Sequence, residues 1–312
     1  MNNSLRVMHW NINQKDKDSN TPGMVASEIL KETSERKRPD IIVLTEFLKT
    51  RNYENVLVKP LEDNGYTVFL DPRNAKKNIR QVLIAILKDA MDTAQPVDTT
   101  PIYLPDNEGH LFEDNESNAY PNFLRVDFFR DFVPMSVIGT RIRICINKIA
   151  DEQALSAEER QARREREHRF RQRQLECLLR EIPSDRKIIM LGDLNIDESF
   201  VDNKKKNWDY NRHYLPSLDS VELHDCPPEN MACLLSGQKL DHLLLSNDLA
   251  AINIQYDDKW EQRKAKNYPD HPILTATVVD RETWICTVCG RRFPMDEFSI
   301  PDKCDDCKQG EE

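Results

Sequence analysis

Short apolar runs in this chain stop repeatedly at carboxylate, amide or imidazole groups. Lys239-Leu240-Asp241-His242-Leu243-Leu244-Leu245 and Tyr268-Pro269-Asp270-His271-Pro272-Ile273-Leu274 each set an Asp-His pair at the edge of an apolar run. Lys187-Ile188-Ile189-Met190-Leu191 stops at Gly192-Asp193-Leu194-Asn195. Burying an unpaired charge at the end of a core strand costs on the order of several kcal/mol. These groups are therefore expected to share a solvated cleft at strand ends, where a metal or a phosphate can pair with them.

Three upstream segments follow the same pattern. Arg6-Val7-Met8-His9-Trp10 leads into Asn11-Ile12-Asn13, Pro39 through Thr45 leads into Glu46, and Ser136 through Thr140 leads into Arg141. The six segments together offer carboxylates (Glu46, Asp193, Asp241, Asp270), amides (Asn11, Asn13, Asn195), an imidazole (His271) and a guanidinium (Arg141). Oxygen-rich ligands suit Mg²⁺ or Mn²⁺ better than zinc. Amide, imidazole and guanidinium donors suit a phosphate. The inventory describes metal-assisted hydrolysis of a phosphoester. Asp and Asn also favour strand-end turns on their own account. That plainer reading covers one or two of these residues, not nine of them in order.

In that order the chain resembles the endonuclease/exonuclease/phosphatase superfamily, which has the fold of pancreatic-type deoxyribonucleases. The resemblance runs from Trp10-Asn11 through Pro39-Asp40-Ile41-Ile42-Val43-Leu44-Thr45-Glu46 and Gly192-Asp193-Leu194-Asn195 to Asp241-His242 and Asp270-His271, over about residues 4–280. It implies a four-layer α-β-β-α sandwich of two mixed sheets. It also implies roles. Glu46 would be the metal ligand, with Asn11 and Asp270 completing or supporting the shell. Asp193 would orient or deprotonate the attacking water. Asn195, expected on the same strand face as Asp193 at period two, would donate to a non-bridging oxygen. His271 would stabilise developing charge or transfer a proton, its ring held by Asp241. Relatives often carry Tyr or His where Arg141 stands; a guanidinium there can bind a phosphate bidentately. His242, next to Asp241, fits packing as well as function, and His9 carries no assignment.

Composition agrees with an enzyme. A chain of 312 residues holds one large α/β domain, here residues 1–280, plus a small appendage at 284–312. A net charge of −10 does not describe a protein that coats nucleic acid by bulk electrostatics. Met1-Asn2-Asn3-Ser4 runs straight into a strand without a signal-peptide apolar region, and no apolar stretch is long enough for a bilayer. The expectation is a cytoplasmic protein with no membrane partner.

Cys145, Cys177, Cys226 and Cys233 are scattered and read as reduced thiols. Cys286-x-x-Cys289 and Cys304-x-x-Cys307 are two close pairs separated by a short loop, the spacing of a structural zinc site in a ribbon-like tail. A pair of disulfides is the alternative, disfavoured because nothing else looks secreted. The acidic tail is a poor phosphate-binding finger and is open to a protein partner.

Elsewhere, Met24, Val25, Ile29 and Leu30 have helical spacing over residues 23–36. Residues 66–70, 81–87, 123–128 and 134–146 have strand character. Residues 94–118 read as an irregular insertion or peripheral hairpin. Ala154 to Ile182 contains neither Gly nor Pro and ends at Pro183, which predicts a helix over 151–182. Its alternating charges read as a solvated face in preference to a nucleic-acid arm. In Lys204 to Tyr214, basic and aromatic residues interleave. The segment could grip phosphates and bases, or its rings could pack on the domain.

The resemblance also bears on substrate class. Inositol phosphatases of the family carry Cys-Asp-Arg where Leu240-Asp241-His242 stands. Abasic-site enzymes show Tyr-x-Pro-Asn near Thr140-Arg141-Ile142-Arg143. Secreted sphingomyelinases need an export signal. The expectation is a Mg²⁺- or Mn²⁺-dependent phosphodiesterase, a nuclease on DNA or RNA, with a structural Zn²⁺ in the tail. The alternatives are a phosphomonoesterase, a small-nucleotide or lipid-headgroup phosphodiesterase, and a catalytically silent interaction module.

Overall fold

The computed structural model describes residues 4–12, 21–34, 38–48, 53–70, 80–96, 123–142, 155–197, 214–228, 239–257, 269, 271–281, 283–285 and 292–294. Two six-stranded sheets face each other. The first has the order β11-β12-β1-β2-β4-β3, built from β1 (Leu5–Asn11), β2 (Ile41–Leu48), β3 (Tyr66–Leu70), β4 (Arg80–Leu87), β11 (Leu249–Tyr256) and β12 (Leu274–Asp280). The second has the order β5-β6-β7-β8-β10-β9, built from β5 (Thr93–Pro96), β6 (Phe123–Arg130), β7 (Val133–Arg141), β8 (Lys187–Asp193), β9 (Leu223–Asp225) and β10 (Asp241–Ser246).

Each sheet holds one parallel pair, β1/β2 and β7/β8, with antiparallel neighbours. Parallel neighbours need a crossover. Here the crossovers are helices, α1 (Thr21–Ser34) and, after the turn-and-helix Glu54–Val58 and α2 (Lys59–Asp63), the long α3 (Ala157–Arg180); α4 (Leu215–Asp219) follows. Strands buried on both faces read as unbroken apolar runs, as Ile41–Leu44 and Ile188–Leu191 do.

Alternation along the strands divides the core into three layers. Val7, Val43, Ile84, Val126, Val137, Ile189, Leu191 and Leu243 fill the space between the sheets. Met8, Trp10, Ile42 and Leu44 face outward under Val25 and Ile29 of α1 and Leu57 and Leu61. Ile138, Ile188, Met190 and Leu244 face outward under Leu175 and Leu178 of α3 and Leu218 of α4. The expected four-layer α-β-β-α arrangement of two mixed sheets is thus present.

Five of the six segments singled out above are the central strands β1, β2, β7, β8 and β10; the sixth, ending at Leu274, leads into the central strand β12. Three details differ from expectation. The long helix begins at Ala157, not near 151, because Ser156 accepts from the Glu159 amide while the Glu159 carboxylate accepts from the Ser156 amide. Such a reciprocal cap sets a start more sharply than charge pattern does. The segment Glu54–Asp63, which has Pro60 in the first turn of α2, gives no clear helical signal in sequence. Of the segment 94–118, Ala94–Pro96 belong to the edge strand β5 paired with β6, not to an irregular insertion; residues 97–118, Asn13, and the Lys204–Tyr214 segment up to His213 lie outside the described residues. Tyr214, the last residue of that segment, is fully buried.

Candidate active site

Because both central pairs are parallel, β1, β2, β7 and β8 all end at one edge of the sandwich. The antiparallel β10 and β12 begin there. That is why Asp241 and His271 precede their apolar runs while Asn11, Arg141 and Asp193 end theirs. In the second sheet Arg141 pairs in register with Asp193, and Asp193 with Asp241. One row of side chains therefore carries a cation and two carboxylates on three adjacent strands. All three point between the sheets, in phase with Val137, Leu191 and Leu243.

The first sheet meets this row with Asn11. Its Nδ2 lies 2.9 Å from Asp193 Oδ2, 3.4 Å from Glu46 Oε1 and 3.4 Å from His271 Nε2. Regular alternation would turn Glu46 outward with Leu44. It does not, because the β2–β4 register shifts between Leu44 and Phe47 and Glu46 takes φ +57°. A bulge of this kind re-aims a side chain, and a non-glycine residue held in the left-handed region marks a site that the surroundings over-determine. Phe47 then resumes the outer face. Arg141 reaches across to Glu46 at 2.8 Å and to Asp193 at 3.6 Å.

His271 Nδ1 lies 2.7 Å from Asp241 Oδ2. Its backbone carbonyl accepts from the Trp10 indole at 2.9 Å, and the Asp241 carbonyl accepts from the Tyr256 hydroxyl at 2.7 Å. Ring and carboxylate are thus both anchored through the main chain. The other Asp241 oxygen faces His9 Nδ1 at 3.4 Å, and His9 Nε2 lies 3.3 Å from Thr45 Oγ1. Sequence reading left His9 unassigned. Its phase with Val7 and Asn11 on β1 was the available signal.

The solvated cleft expected from sequence is instead an almost fully buried cluster. Asp193 and Asp241 are each 1% exposed, and the Arg141 side chain, at 15%, reaches furthest toward solvent. The carboxylates find their partners in Arg141, Asn11 and His271, which offsets desolvation as water otherwise would. Two carboxylates in one cluster shift in opposite directions. Burial raises the Asp193 carboxyl above its ordinary range, against the pull of His271. Burial also pushes on Asp241, but the charge and hydrogen bond of His271 outweigh it and hold Asp241 low. Opposed shifts of this sort separate a proton-handling group from an orienting one. Burial drives the His9 imidazole down to about 4, so it is neutral.

Asn195 departs from expectation. β8 ends at Asp193, and Asn195 sits beyond it with φ +49°, so the two do not share a strand face. The Asp193 carboxylate accepts from the Asn195 amide at 3.0 Å, and Asn195 Nδ2 donates to the Ile142 carbonyl at 2.7 Å. The turn itself, and not the pleat, sets where Asn195 points. Gly192 and Gly139 make room for this geometry. A Cβ at Gly192 would run into the Thr140 carbonyl, and one at Gly139 into the Val82 and Val43 methyls of the opposite sheet.

Among the described residues no three His, Cys, Asp or Glu side chains form a metal-binding group. The hard-oxygen donor at Glu46 is its own carboxylate; Asn11 turns its amide nitrogen toward it and can ligate a metal through Oδ1 only. Hard oxygens of this kind fit Mg²⁺ or Mn²⁺, which keep several waters and need few protein ligands. Asp270 lies outside the described residues, as do Cys286, Cys289, Cys304 and Cys307.

No known protein family and no curated protein matches the chain by sequence. Solved structures match it by shape. An endonuclease/exonuclease/phosphatase from Beutenbergia cavernae superposes with TM-score 0.62 at 13% identity, covering 95% of this chain and 79% of that one. The human Nocturnin catalytic domain with bound sulfate gives 0.55 at 15%, covering 89% and 93%. D. rerio TDP2 complexed with single-strand DNA product gives 0.55 at 14%, covering 88% and 98%. At these identities the likeness is one of fold, and it supports the endonuclease/exonuclease/phosphatase resemblance at that level.

Proposed function

We propose that the protein is a divalent-metal-dependent phosphodiester hydrolase, and within that class a nuclease acting on DNA or RNA. The observation that carries the reading is Asn11, whose amide lies within 3.4 Å of Glu46, Asp193 and His271, residues brought from both sheets to one edge. The shape likeness to a TDP2 bound to a DNA product and to the endonuclease domain of TRAS1 supports a polynucleotide substrate.

Glu46, Asn11 and Asp270 would hold Mg²⁺ or Mn²⁺. When bound, such an ion polarises a phosphoryl oxygen and offsets charge that develops there. The chain's own residues do the rest. Asp193, with its raised carboxyl, takes a proton from the attacking water and keeps it aimed. Arg141, closest to solvent, receives the phosphate. Asn195 has one N–H on Ile142 and a second for a non-bridging oxygen. His271 protonates the leaving oxygen, with Asp241 fixing the ring. The tail we read as a zinc module, on the spacing Cys286-x-x-Cys289 and Cys304-x-x-Cys307; the antiparallel pairing of Thr283–Ile285 with Arg292–Pro294 is compatible with it. This assigns 1–280 to catalysis and 284–312 to stability or a protein partner, in a cytoplasmic enzyme.

The test is a panel of single- and double-stranded DNA, RNA, a cyclic dinucleotide, bis-p-nitrophenyl phosphate and p-nitrophenyl phosphate, with Mg²⁺ or Mn²⁺. Wild type runs beside Glu46→Gln and Asp193→Asn. Cleavage of a polymer that both variants lose supports a nuclease. Turnover of only the small monoester moves the reading to a phosphatase, and silence on everything removes the enzyme reading.

A further inference from the structure

His242 follows Asp241 on β10 and points the opposite way, out of the cleft and into the layer beneath α4. There both of its ring nitrogens meet acceptors. Nδ1 lies 2.8 Å from Asp225 Oδ2, and Nε2 lies 2.9 Å from the Ile196 carbonyl. A carbonyl only accepts, and an ionised carboxylate only accepts. A neutral imidazole, with one N–H, would leave a lone pair against one of them. The doubly protonated ring satisfies both. The Tyr214 hydroxyl completes the group, 3.3 Å from Asp225 Oδ2.

The carbonyl that His242 holds belongs to the turn that carries Asp193 and Asn195. The preceding carbonyl, of Asn195, is held at 2.7 Å by Arg171, a buried residue of α3. The Leu194 amide donates to the Leu240 carbonyl, and the Lys239 amide to Asp197 Oδ2. Two successive carbonyls are thus held by two side chains, Arg171 from the helix layer and His242 from β10. Asn195 is in the left-handed region, a conformation that persists only where surroundings over-determine it.

We propose that His242, kept as a buried imidazolium by Asp225, is a positioning residue that fixes the turn Leu194–Asp197 and so the aim of Asp193 and Asn195. As a role in hydrolysis this rests on the function proposed above; as a role in holding the turn it does not. The charged and titratable groups around the ring are Asp225 from β9, Tyr214 before α4, Asp241 on its own strand and His9 from β1. Burial alone would strip the proton, but Asp225 outweighs it and lifts His242 to about 9. Charge on the ring, and with it the grip on Ile196, is therefore present at neutral pH and withdrawn in alkali.

The deciding measurement is on the full chain with Mg²⁺, by nitrogen-15 NMR of the imidazoles and of the 194–197 amides. The His242 signals are assigned by their loss in His242→Gln. The expected result is a ring protonated on both nitrogens at pH 7.5, deprotonating near 9, with the Leu194–Asp197 amides moving in the same titration. In Asp225→Asn burial acts with its main opponent gone, and that midpoint falls to 6.5, the ordinary histidine value, or below. A neutral ring at pH 7.5, or a titration that leaves those amides unmoved, overturns the proposal. Kinetics on bis-p-nitrophenyl phosphate supply the second arm. Loss of aim by about an ångström lowers kcat on the order of 10²-fold in folded His242→Gln, with KM nearly unchanged. The alkaline limb of kcat moves down in Asp225→Asn. Unchanged kcat and an unmoved limb in folded variants would make the pair merely structural. A wild type silent on every ester would sink the function, while the NMR arm still decides the positioning.

Discussion

His271 Nδ1 and Asp241 Oδ2 lie 2.7 Å apart, although the first precedes a strand of one sheet and the second opens a strand of the other. The pair therefore reports on how the sheets are held together as well as on the ring it orients. Replacing Asp241 with Asn keeps the shape and lets the ring turn. In the proposed hydrolysis kcat should fall on the order of 10²–10⁴-fold, the range for a positioned acid or base, with little change in KM. Steady-state kinetics on any ester that wild type cleaves would decide it. An unaltered kcat would remove His271 from proton transfer.

Much of this site was legible because the residue types contradict their surroundings. Asp193 after Ile188-Ile189-Met190-Leu191, and Glu46 after Ile41-Ile42-Val43-Leu44, are polar groups where a strand should stay apolar. What could not be read is what depends on irregular backbone. The bulge that turns Glu46 inward and the left-handed turn that removes Asn195 from the pleat of β8 obey no period, and a period-two argument placed Asn195 on a face it does not share. His9 and His242 were passed over for a related reason. Each is explained by partners distant in sequence, Asp241 and Thr45 for His9, and Asp225 and Ile196 for His242.

Gly139 lies two residues before Arg141, at a point where the two sheets approach closely. A methyl group there meets Val82 and Val43 of the opposite sheet. Gly139→Ala should destabilise by about 1–3 kcal/mol through overpacking. Because the strain is relieved by moving the sheets apart, activity should fall with it. Val82→Ala in the same chain should recover part of both losses, a coupling that independent sites do not show. Urea denaturation of the two single variants and the double variant measures it, and additive effects would mean that the two sites do not touch.

The tail makes a prediction that needs no substrate. Protein purified without chelator should carry about one zinc per chain, as four thiolates of a tetrahedral site require. Cys286→Ser or Cys304→Ser should lose it, while Cys226→Ser, at a buried thiol that burial pushes up to about 12, should not. Elemental analysis of the three variants settles this. Zinc retained after loss of either tail cysteine, or absent from wild type, ends the ribbon reading.

The dependence of stability on pH follows from His242. Its folded-state value is raised to about 9 against 6.5 for an ordinary histidine, with burial opposing and Asp225 prevailing. A raised cationic group holds its proton more tightly when folded. Its contribution is complete below about 6.5, declines as pH rises from there, and is gone above about 9. The two values differ by enough to be worth roughly 3 kcal/mol. Wild type should therefore lose stability between pH 6.5 and 9, which Asp225→Asn should not, having forfeited the pair already. Denaturant melts at pH 6, 7.5 and 9 for both proteins read this directly. Parallel curves, with the same fall in the variant, would assign the loss to other groups and leave His242 neutral in the fold.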